Sequence, residues 1–187
     1  MRRILVVGGS EEFMGAPYLA AIAALRAGAE SVIVMAPEKI AWAINTLSPD
    51  LMTRKLKGGQ LSMRHLSAIR RQMKTADILV LGNGAGLHHD TVMLMRSLMR
   101  SPILKVIDAD ALKVLRGSYV RNAILTPNES EWRLLEKNSG LKELLAYGNV
   151  IVKKGFPTKI LSNKRTITIK TRTKACEKQV RATCSRD

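Results

Sequence analysis

Short, β-branched apolar runs alternate with longer amphipathic segments along most of the chain, and this alternation constrains the fold most strongly. The strand-like runs are residues 4–7, 31–35, 77–81, 104–107, 123–125 and 150–152. The segments with helical spacing are residues 18–27, 37–45, 61–73, 91–100, 111–115 and 130–137, while residues 49–59 read as a loop or a minor strand. Pro17 suits the first position of the first helix, and His65 is expected on a polar face of the third. Such alternation is typical of βαβ units. The sequence therefore predicts an α/β fold with a mostly parallel central sheet.

Length and composition set the outer limits of the interpretation. A chain of 187 residues with 46% apolar residues is large enough for one domain with a sizeable core. No apolar run approaches the length of a membrane span. The apolar run near the N-terminus, Ile4–Val7, is too short for a signal peptide and is better read as a first strand. These features favour a cytoplasmic protein with no membrane partner.

The charge balance raises the question of a polyanionic partner. The net charge is +16, but the cations are spread along the chain, and residues 164–187 alone hold eight Lys or Arg against two acids. Only 4% of the residues are aromatic, and no recognisable nucleic-acid module is present. Nucleic acid is therefore not the expected partner.

Polar and glycine-rich turns follow successive strand-like runs. They are residues 8–10 (GGS), 82–86 (GNGAG), 108–110 (DAD), 126–129 (TPNE) and 154–155 (KG). Because the carboxyl ends of parallel strands form the ligand crevice of an open α/β sheet, this repeated placement predicts a binding site there.

Taken singly, each motif also has a purely structural interpretation. The glycines serve tight turns as well as phosphate binding. Asp108 and Asp110 can hold Mg²⁺ or orient a hydroxyl, but Asp110 can equally cap the next helix. Lys154 can meet a nucleotide phosphate or lie in solvent. His88 and His89 have no third ligand at metal spacing, so no metal site built from protein ligands is expected.

Taken together and in order, the motifs resemble one enzyme family. GAPYLAAIAALRAGAESVIVMAPE (15–38), ADILVLGNGAG (76–86), VIDADAL (106–112), ILTPNESEWRLL (124–135) and VIVKKGFPT (150–158) resemble the ADP/ATP-dependent NAD(P)H-hydrate dehydratases of the ribokinase-like superfamily. The resemblance implies a three-layer ribokinase-like sandwich. It also implies a metabolite-repair reaction, in which ADP or ATP, with Mg²⁺, drives loss of the hydroxyl from hydrated NADH or NADPH. A homo-tetramer is the assembly that the resemblance allows for a full-length protein.

The resemblance also assigns residues to roles. Ala16, Gly86 and Asn128 match positions that contact the hydrated dinucleotide, and Asp108 and Asp110 are expected on the same substrate side. The nucleotide-binding stretch is Lys154, Gly155, Phe156, Pro157 and Thr158. The family often has histidine where Asn128 stands. Asparagine can hydrogen-bond but cannot carry a charge.

The C-terminal segment departs from the family pattern. Residues 1–164 are expected to form a partial dehydratase domain, incomplete at its C-terminus, and residues 165–187 an aberrant, disordered basic tail. The family's next motif is a GTGD loop that supplies backbone N–H groups and an aspartate base. That motif is absent, so no catalytic residue is assigned. Codons for Lys174–Asp187, read from the third base, can spell GMRKAGTGDVLAG, which suggests a frameshift.

Two other functions are compatible with parts of the sequence. The first is a kinase of the same superfamily that phosphorylates a vitamin-precursor alcohol. The second is a non-catalytic nucleotide- or RNA-binding protein in which the basic tail is genuine, and steeply salt-dependent RNA binding would support it.

Overall fold

A single nine-stranded sheet organises the structure, a computed structural model that describes residues 2–116 and 119–170. The strands are Arg3–Val7 (β1), Ser31–Pro37 (β2), Met52–Leu56 (β3), Ile78–Leu81 (β4), Leu104–Ile107 (β5), Ala123–Leu125 (β6), Val150–Lys153 (β7), Thr158–Leu161 (β8) and Thr166–Ile169 (β9). The helices are Gly15–Arg26 (α1), Glu38–Leu47 (α2), Leu66–Met73 (α3), His89–Met99 (α4), Asp110–Val114 (α5), Glu129–Asn138 (α6) and Leu141–Ala146 (α7). A short 3₁₀ turn, Met63–His65, precedes α3.

The strand order is β3-β2-β1-β4-β5-β6-β7-β8-β9. Every pair from β3 across to β7 is parallel, whereas β7–β8 and β8–β9 are antiparallel. The mostly parallel sheet predicted from the alternating pattern is therefore confirmed. The chain builds outward from β1 to β3 and then returns to place β4 on the other side of β1.

The two faces of the sheet carry separate apolar clusters, because successive strand residues point to opposite faces. On one face, Val6, Val32 and Val34 pack with residues of α1 and α2. On the other face, Leu79, Ile107 and Leu125 belong to a larger cluster that includes buried residues of α3 to α7. Within the described residues, no helix has the length and apolar character needed to cross a bilayer.

One half of the sheet lacks a helical cover on the α1–α2 side. The residues of β4 to β7 that point to this side are all half-buried or exposed: Ile78, Val80, Leu104, Val106, Ile124, Val150 and Val152. Their neighbours on the opposite face, such as Leu79 and Ile151, are fully buried. In the described part of the chain, α1 and α2 pack on β1, β2 and β3, and of these seven residues only Val80 joins their cluster.

Three local expectations need correction. Residues 166–169 form β9, so the described start of the tail is not disordered; alternating TITI pairs with β8 along its whole length. Residues 171–187 lie outside the described residues. Helix α1 begins at Gly15, so Pro17 is not its first residue. His65, expected on a polar helix face, is buried, and its ring accepts a hydrogen bond from the Ser62 backbone N–H.

Lys105 is a buried cation in the middle of the sheet. Its side chain is fully buried, and its Nζ donates to the backbone carbonyl of Arg121. Burial lowers the pKa of Lys105 to about 8. No carboxylate in the described residues forms an ion pair with it. The charged form is therefore disfavoured in the folded state.

We predict that Lys105 makes stability depend on pH. Above pH 8 the folded protein releases this proton, while an unfolded lysine keeps it to about pH 10.4. The unfolded state then binds more protons, so the free energy of unfolding rises with pH across this window, by up to about 3 kcal/mol. Urea unfolding at pH 7 to 10 measures the rise.

The matched comparison is Lys105→Met against Lys142→Met, because Lys142 is exposed. We expect Lys105→Met to be more stable than wild type below pH 8. Its free energy of unfolding should show little of the increase with pH that is expected for the wild type. Lys142→Met should follow the wild-type curve. Parallel curves for wild type and Lys105→Met would contradict the assignment.

Candidate functional site

The carboxyl ends of four neighbouring strands meet at the carboxylate of Asp108. Its Oδ1 accepts hydrogen bonds from Thr126 Oγ1 and Lys154 Nζ, both at 2.8 Å. Its Oδ2 accepts one from Asn83 Nδ2 at 3.2 Å. Asn83 follows β4, Thr126 follows β6 and Lys154 follows β7. One side chain at the end of β5 thus joins the loops of β4 to β7.

The Lys154–Asp108 ion pair lies at the surface of the crevice. The Lys154 side chain is 45% exposed, so its ammonium keeps access to solvent. The backbone N–H of Lys154 donates to the carbonyl of Pro127, which fixes the β7 loop against the β6 loop. The cation is therefore held in place and still available to an anion.

The crevice opens between β1 and β4, where the order in which strands are added to the sheet reverses. The Gly9 N–H donates to the carbonyl of Asn83, which ties the two loops together. A Cβ on Gly8 would lie 2.4 Å from that carbonyl oxygen, so only glycine permits this approach. Ligands of open α/β sheets bind at such reversal points.

A cavity of about 630 Å³ occupies this position. It is lined by Ala16, Leu19, Ala20, Val80, Asn83, Gly84, Val106, Asp108, Ala109, Thr126 and Lys154. Its size falls in the range of small-molecule sites. Asn83 Oδ1 is buried there without a hydrogen-bond partner in the described residues. An unpaired buried acceptor is costly, and this oxygen is not exposed to solvent.

A second cavity of about 610 Å³ lies on the other side of the Gly82–Gly86 turn. It is lined by Ser10, Glu11, Glu12, Gly59, Gln60, Gly86, Leu87 and His88. Ser10 Oγ is also buried without a partner in the described residues. The glycine-rich turn is therefore the wall between two cavities.

Several residues predicted for the substrate side are in or near the crevice. Ala16 and Asp108 line the first cavity, and Gly86 lines the second. Asp110 lines neither, because Oδ2 accepts from the Gly86 N–H and Oδ1 pairs with Lys113. Asp110 supports the glycine-rich turn, and Ala109, not Asp110, is the N-cap of α5.

Asn128 combines a structural role with free donors. Its Oδ1 accepts from the backbone N–H of Glu131, while Glu131 Oε2 accepts from the N–H of Asn128. This capping box starts α6. Burial raises the pKa of Glu131. The described residues provide no acceptor for Asn128 Nδ2, so its amide donors remain available to a ligand.

The predicted nucleotide stretch forms the loop from β7 to β8. Thr158 Oγ1 donates to the carbonyl of Gly155 and closes the loop. Gly155 has a positive φ of 151°, and Phe156 is 52% exposed. Of this stretch, Lys154 lines the first cavity, whereas residues 155–158 do not.

Sequence reasoning did not single out three residues that shape the site. Asn83 lies inside the GNGAG motif, which was read for its glycines. Thr126 belongs to the TPNE motif, in which the family resemblance assigns a role only to Asn128. Lys113 follows Asp110 at i+3, and that spacing is a usable signal for a helical ion pair.

The fold and the crevice define a class of protein, the ribokinase-like α/β proteins. A ribokinase-like superfamily protein from Enterococcus faecalis matches with a TM-score of 0.72 and 18% identity over 89% of this chain and 62% of that one. An ADP/ATP-dependent NAD(P)H-hydrate dehydratase from Bacillus subtilis, co-crystallised with ATP and Mg²⁺, matches with a TM-score of 0.67 and 20% identity over 92% of this chain and 65% of that one.

Within that class, the chain belongs to the NAD(P)H-hydrate dehydratase family, whose model matches residues 4–179. Bifunctional NAD(P)H-hydrate repair enzymes Nnr are its curated relatives. The Pyrobaculum aerophilum enzyme is 38% identical over 82% of this chain and 34% of its own length. The Methanothermobacter thermautotrophicus enzyme is 43% identical over 70% and 26%. The chain thus spans about a third or less of these relatives, and the family recognised from the ordered motifs is confirmed.

We predict that Gly84 cannot be replaced without loss of stability. Its φ is +62°, and a Cβ would lie 2.6 Å from the backbone oxygen and Cβ of Phe13. Gly28 has φ +90° but no atom within 4 Å of a Cβ position, so it isolates backbone strain from steric clash. Gly84→Ala should lower the free energy of unfolding by about 1–3 kcal/mol more than Gly28→Ala. Urea unfolding of both variants measures this difference, and equal losses would contradict the close contact.

Proposed function

We propose that the whole protein of which this chain forms the dehydratase part restores hydrated NADH or NADPH at the expense of ADP or ATP. The proposal rests on the hydrogen bonds that join Thr126 and Lys154 to Asp108 at the carboxyl ends of the strands. The chain that has this arrangement belongs to the dehydratase family. The arrangement places a fixed cation, Lys154, beside a cavity of small-molecule size. The B. subtilis relative co-crystallised with ATP and Mg²⁺ supports a nucleotide as the anionic ligand.

Phosphoryl transfer explains why a dehydration consumes a nucleotide. Hydroxide is a poor leaving group, whereas phosphate is a good one. In the proposed reaction, a base removes the proton of the hydroxyl on the hydrated ring, and the hydroxyl oxygen takes the terminal phosphoryl group of the nucleotide. The bond from that phosphorus to the bridging oxygen breaks, so AMP leaves from ADP, or ADP from ATP. The C–O bond then breaks, phosphate leaves, and a proton is lost from the adjacent carbon to restore the ring double bond.

The chain contributes binding and orientation to this reaction. The Lys154 ammonium neutralises phosphate charge, and Asp108 holds it in position. Helix α1 begins at Gly15 without a side-chain cap, so backbone N–H groups of its first turn have no side-chain partner, and Ala16 of that turn lines the cavity. Such unpaired N–H groups favour anions. Asn128 Nδ2 offers donors to the hydroxyl-rich substrate.

The residues that line the cavity fit Mg²⁺ only if the phosphates of a bound nucleotide supply further ligands. Among the described residues, no group of three His, Cys, Asp or Glu is arranged to hold a metal ion. Mg²⁺ is commonly bound by one or two carboxylates together with the phosphates of the substrate. Asp108 is the carboxylate that lines the cavity, and the ion would neutralise charge on the phosphates.

Asp108 does not replace the missing base of the GTGD loop. It already accepts three hydrogen bonds, one of them from Lys154, and these commit its two oxygens to the loops of β4, β6 and β7. We propose that a frameshift after β9 removed the loop from the printed reading of the gene. The strand pairing of β9 with β8 supports a correct frame at least to Ile169. The uncovered apolar face of β4 to β7 supports a further segment, in the whole protein, that covers it.

Two finer parts of the proposal concern the protein in the cell. We propose a cytoplasmic location and a homo-oligomer, with a tetramer as the expected form of the full-length protein. Size measurement of that protein by light scattering tests the second part.

The activity is tested with two proteins, the printed chain and the product of the gene read in the shifted frame. Sequencing independently prepared DNA past the codon for Gly155 decides which frame is genuine. Each protein is given hydrated NADH with ADP or ATP and Mg²⁺, and formation of NADH is followed by its absorbance. A general base contributes about 10²–10⁴-fold, so we expect the printed chain to be slower by that factor.

The possible outcomes separate the alternatives. Equal rates for the two proteins would refute the loss of the base. If the shifted-frame product instead phosphorylates an alcohol, keeps the phosphate on it and restores no NADH, the small-molecule kinase reading is correct. Salt-dependent RNA binding that requires residues 165–187 would support the non-catalytic reading.

We predict that Lys154 contributes to nucleotide affinity independently of turnover. Lys154→Met should weaken ADP binding about tenfold, because a charge-assisted hydrogen bond to phosphate is lost. Lys159→Met is the matched control, since Lys159 lies on β8 with an exposed side chain. Titration calorimetry with ADP on the printed chain measures both. Equal affinity in the two variants would place the nucleotide elsewhere.

A further inference from the structure

A strongly basic surface lies at the β3 edge of the sheet, away from the crevice. Residues 51–76 contain seven Lys or Arg and no Asp or Glu. This segment forms the edge strand β3, the 3₁₀ turn and α3. Seven of the 31 Lys and Arg residues of the chain therefore lie in this segment, and no carboxylate within it offsets them.

A cavity of about 590 Å³ lies within this surface. It is lined by Met35, Arg54, Lys55, Leu56, Ala68, Arg71, Gln72 and Thr75. Met35 and Leu56 are buried and make an apolar floor, while the arginines are exposed at the rim. An apolar floor with a few charged groups is the usual composition of a small-molecule site.

The two arginines have no acidic partner. None of the residues that line the cavity is acidic, and no carboxylate in the described residues forms an ion pair with Arg54 or Arg71. Lys55 differs from them, because its Nζ donates to Asn45 Oδ1 and lies 4.1 Å from the centroid of the Trp42 ring. The guanidinium groups of Arg54 and Arg71 are thus the unused donors of the cavity.

Protection of an edge strand explains only part of this arrangement. Charged side chains on an edge strand prevent pairing with other sheets, and Arg54 and Lys55 serve that purpose on β3. Arg71, Gln72 and Thr75, however, come from α3 and the turn after it. Cations from two elements thus surround one concave space. Binding of an anionic ligand explains this arrangement, whereas edge protection explains only the cations on β3.

We propose that the cavity between β3 and α3 binds a small phosphorylated molecule, with Arg54 and Arg71 on its phosphate oxygens. The planar, forked donors of arginine suit phosphate, and the apolar floor suits the remainder of such a ligand. RNA fits less well, because residues 51–76 contain no Phe, Trp or Tyr on which a base can stack. The site does not depend on the proposed dehydratase activity.

The test uses inorganic pyrophosphate, which carries phosphate groups without a nucleoside. Titration calorimetry is done on the Lys154→Gln variant, which lacks the cation that the crevice offers to phosphate, and this variant should show saturable binding at one site. In that background, Arg54→Gln and Arg71→Gln should each weaken binding about tenfold, because each removes a charge-assisted contact. Arg26→Gln in the same background is the matched control for net charge, since Arg26 is exposed on the last turn of α1. The wild type is titrated beside them.

Unchanged affinity in Arg26→Gln, with loss in Arg54→Gln and Arg71→Gln, would support the site. Absence of saturable binding to the Lys154→Gln background would overturn it, as would equal weakening in Arg26→Gln. Saturable binding to the wild type that disappears in Lys154→Gln would assign the pyrophosphate to the crevice and also overturn it. Binding of a poly-glutamate peptide or an RNA oligomer that pyrophosphate fails to displace would identify a macromolecular partner instead.

Discussion

The ion pair between Asp108 and Lys154 is the interaction on which the crevice depends. Asp108 is the shared acceptor for side chains that follow β4, β6 and β7, so its position sets the relative position of all these loops. The sheet alone does not fix them, because β6 has only three residues and pairs with β7 at two positions. Backbone bonds between loops, such as Gly9 N–H to the Asn83 carbonyl, complete the frame. The same pair keeps a cation at the surface, so loop architecture and anion binding share one carboxylate.

Much of the fold could be predicted from local sequence. The strand-like runs and the turns that follow them depend on residue types within a few positions, and the parallel sheet follows from their alternation. The error at β9 has a local cause as well. The segment is basic and polar as a whole, but residues 166–169 alternate Thr and Ile with a period of two. This alternation is typical of a strand, and these residues pair with β8. His65 was misplaced because its burial depends on Ser62 and Lys57, which a helical projection does not consider.

The candidate site was predictable as a set of strand ends but not as a set of contacts. Asp108 and Lys154 are 46 positions apart, and Asp108 and Asn83 are 25 apart, so no local pattern links them. Asp110 shows that residues close in sequence need not share a role. Its place beside Asp108 suggested a shared ligand, yet the first turn of α5 directs it to the Gly86 N–H. The basic cavity at β3 and α3 was missed for the same reason, since only the fold brings Arg54 and Arg71 to one space.

The half-covered sheet has a consequence for biosynthesis. The ribosome delivers β1 to β3 with α1 and α2 first, and these elements shield each other as they emerge. Strands β4 to β7 then join the sheet with helices on one side only, and the side chains of Val106, Ile124 and Val152 still face water. Until the proposed covering segment is synthesised, the nascent chain exposes an apolar surface of the kind that chaperones bind. Slow translation past β7 would prolong this exposure and so favour aggregation of the nascent chain.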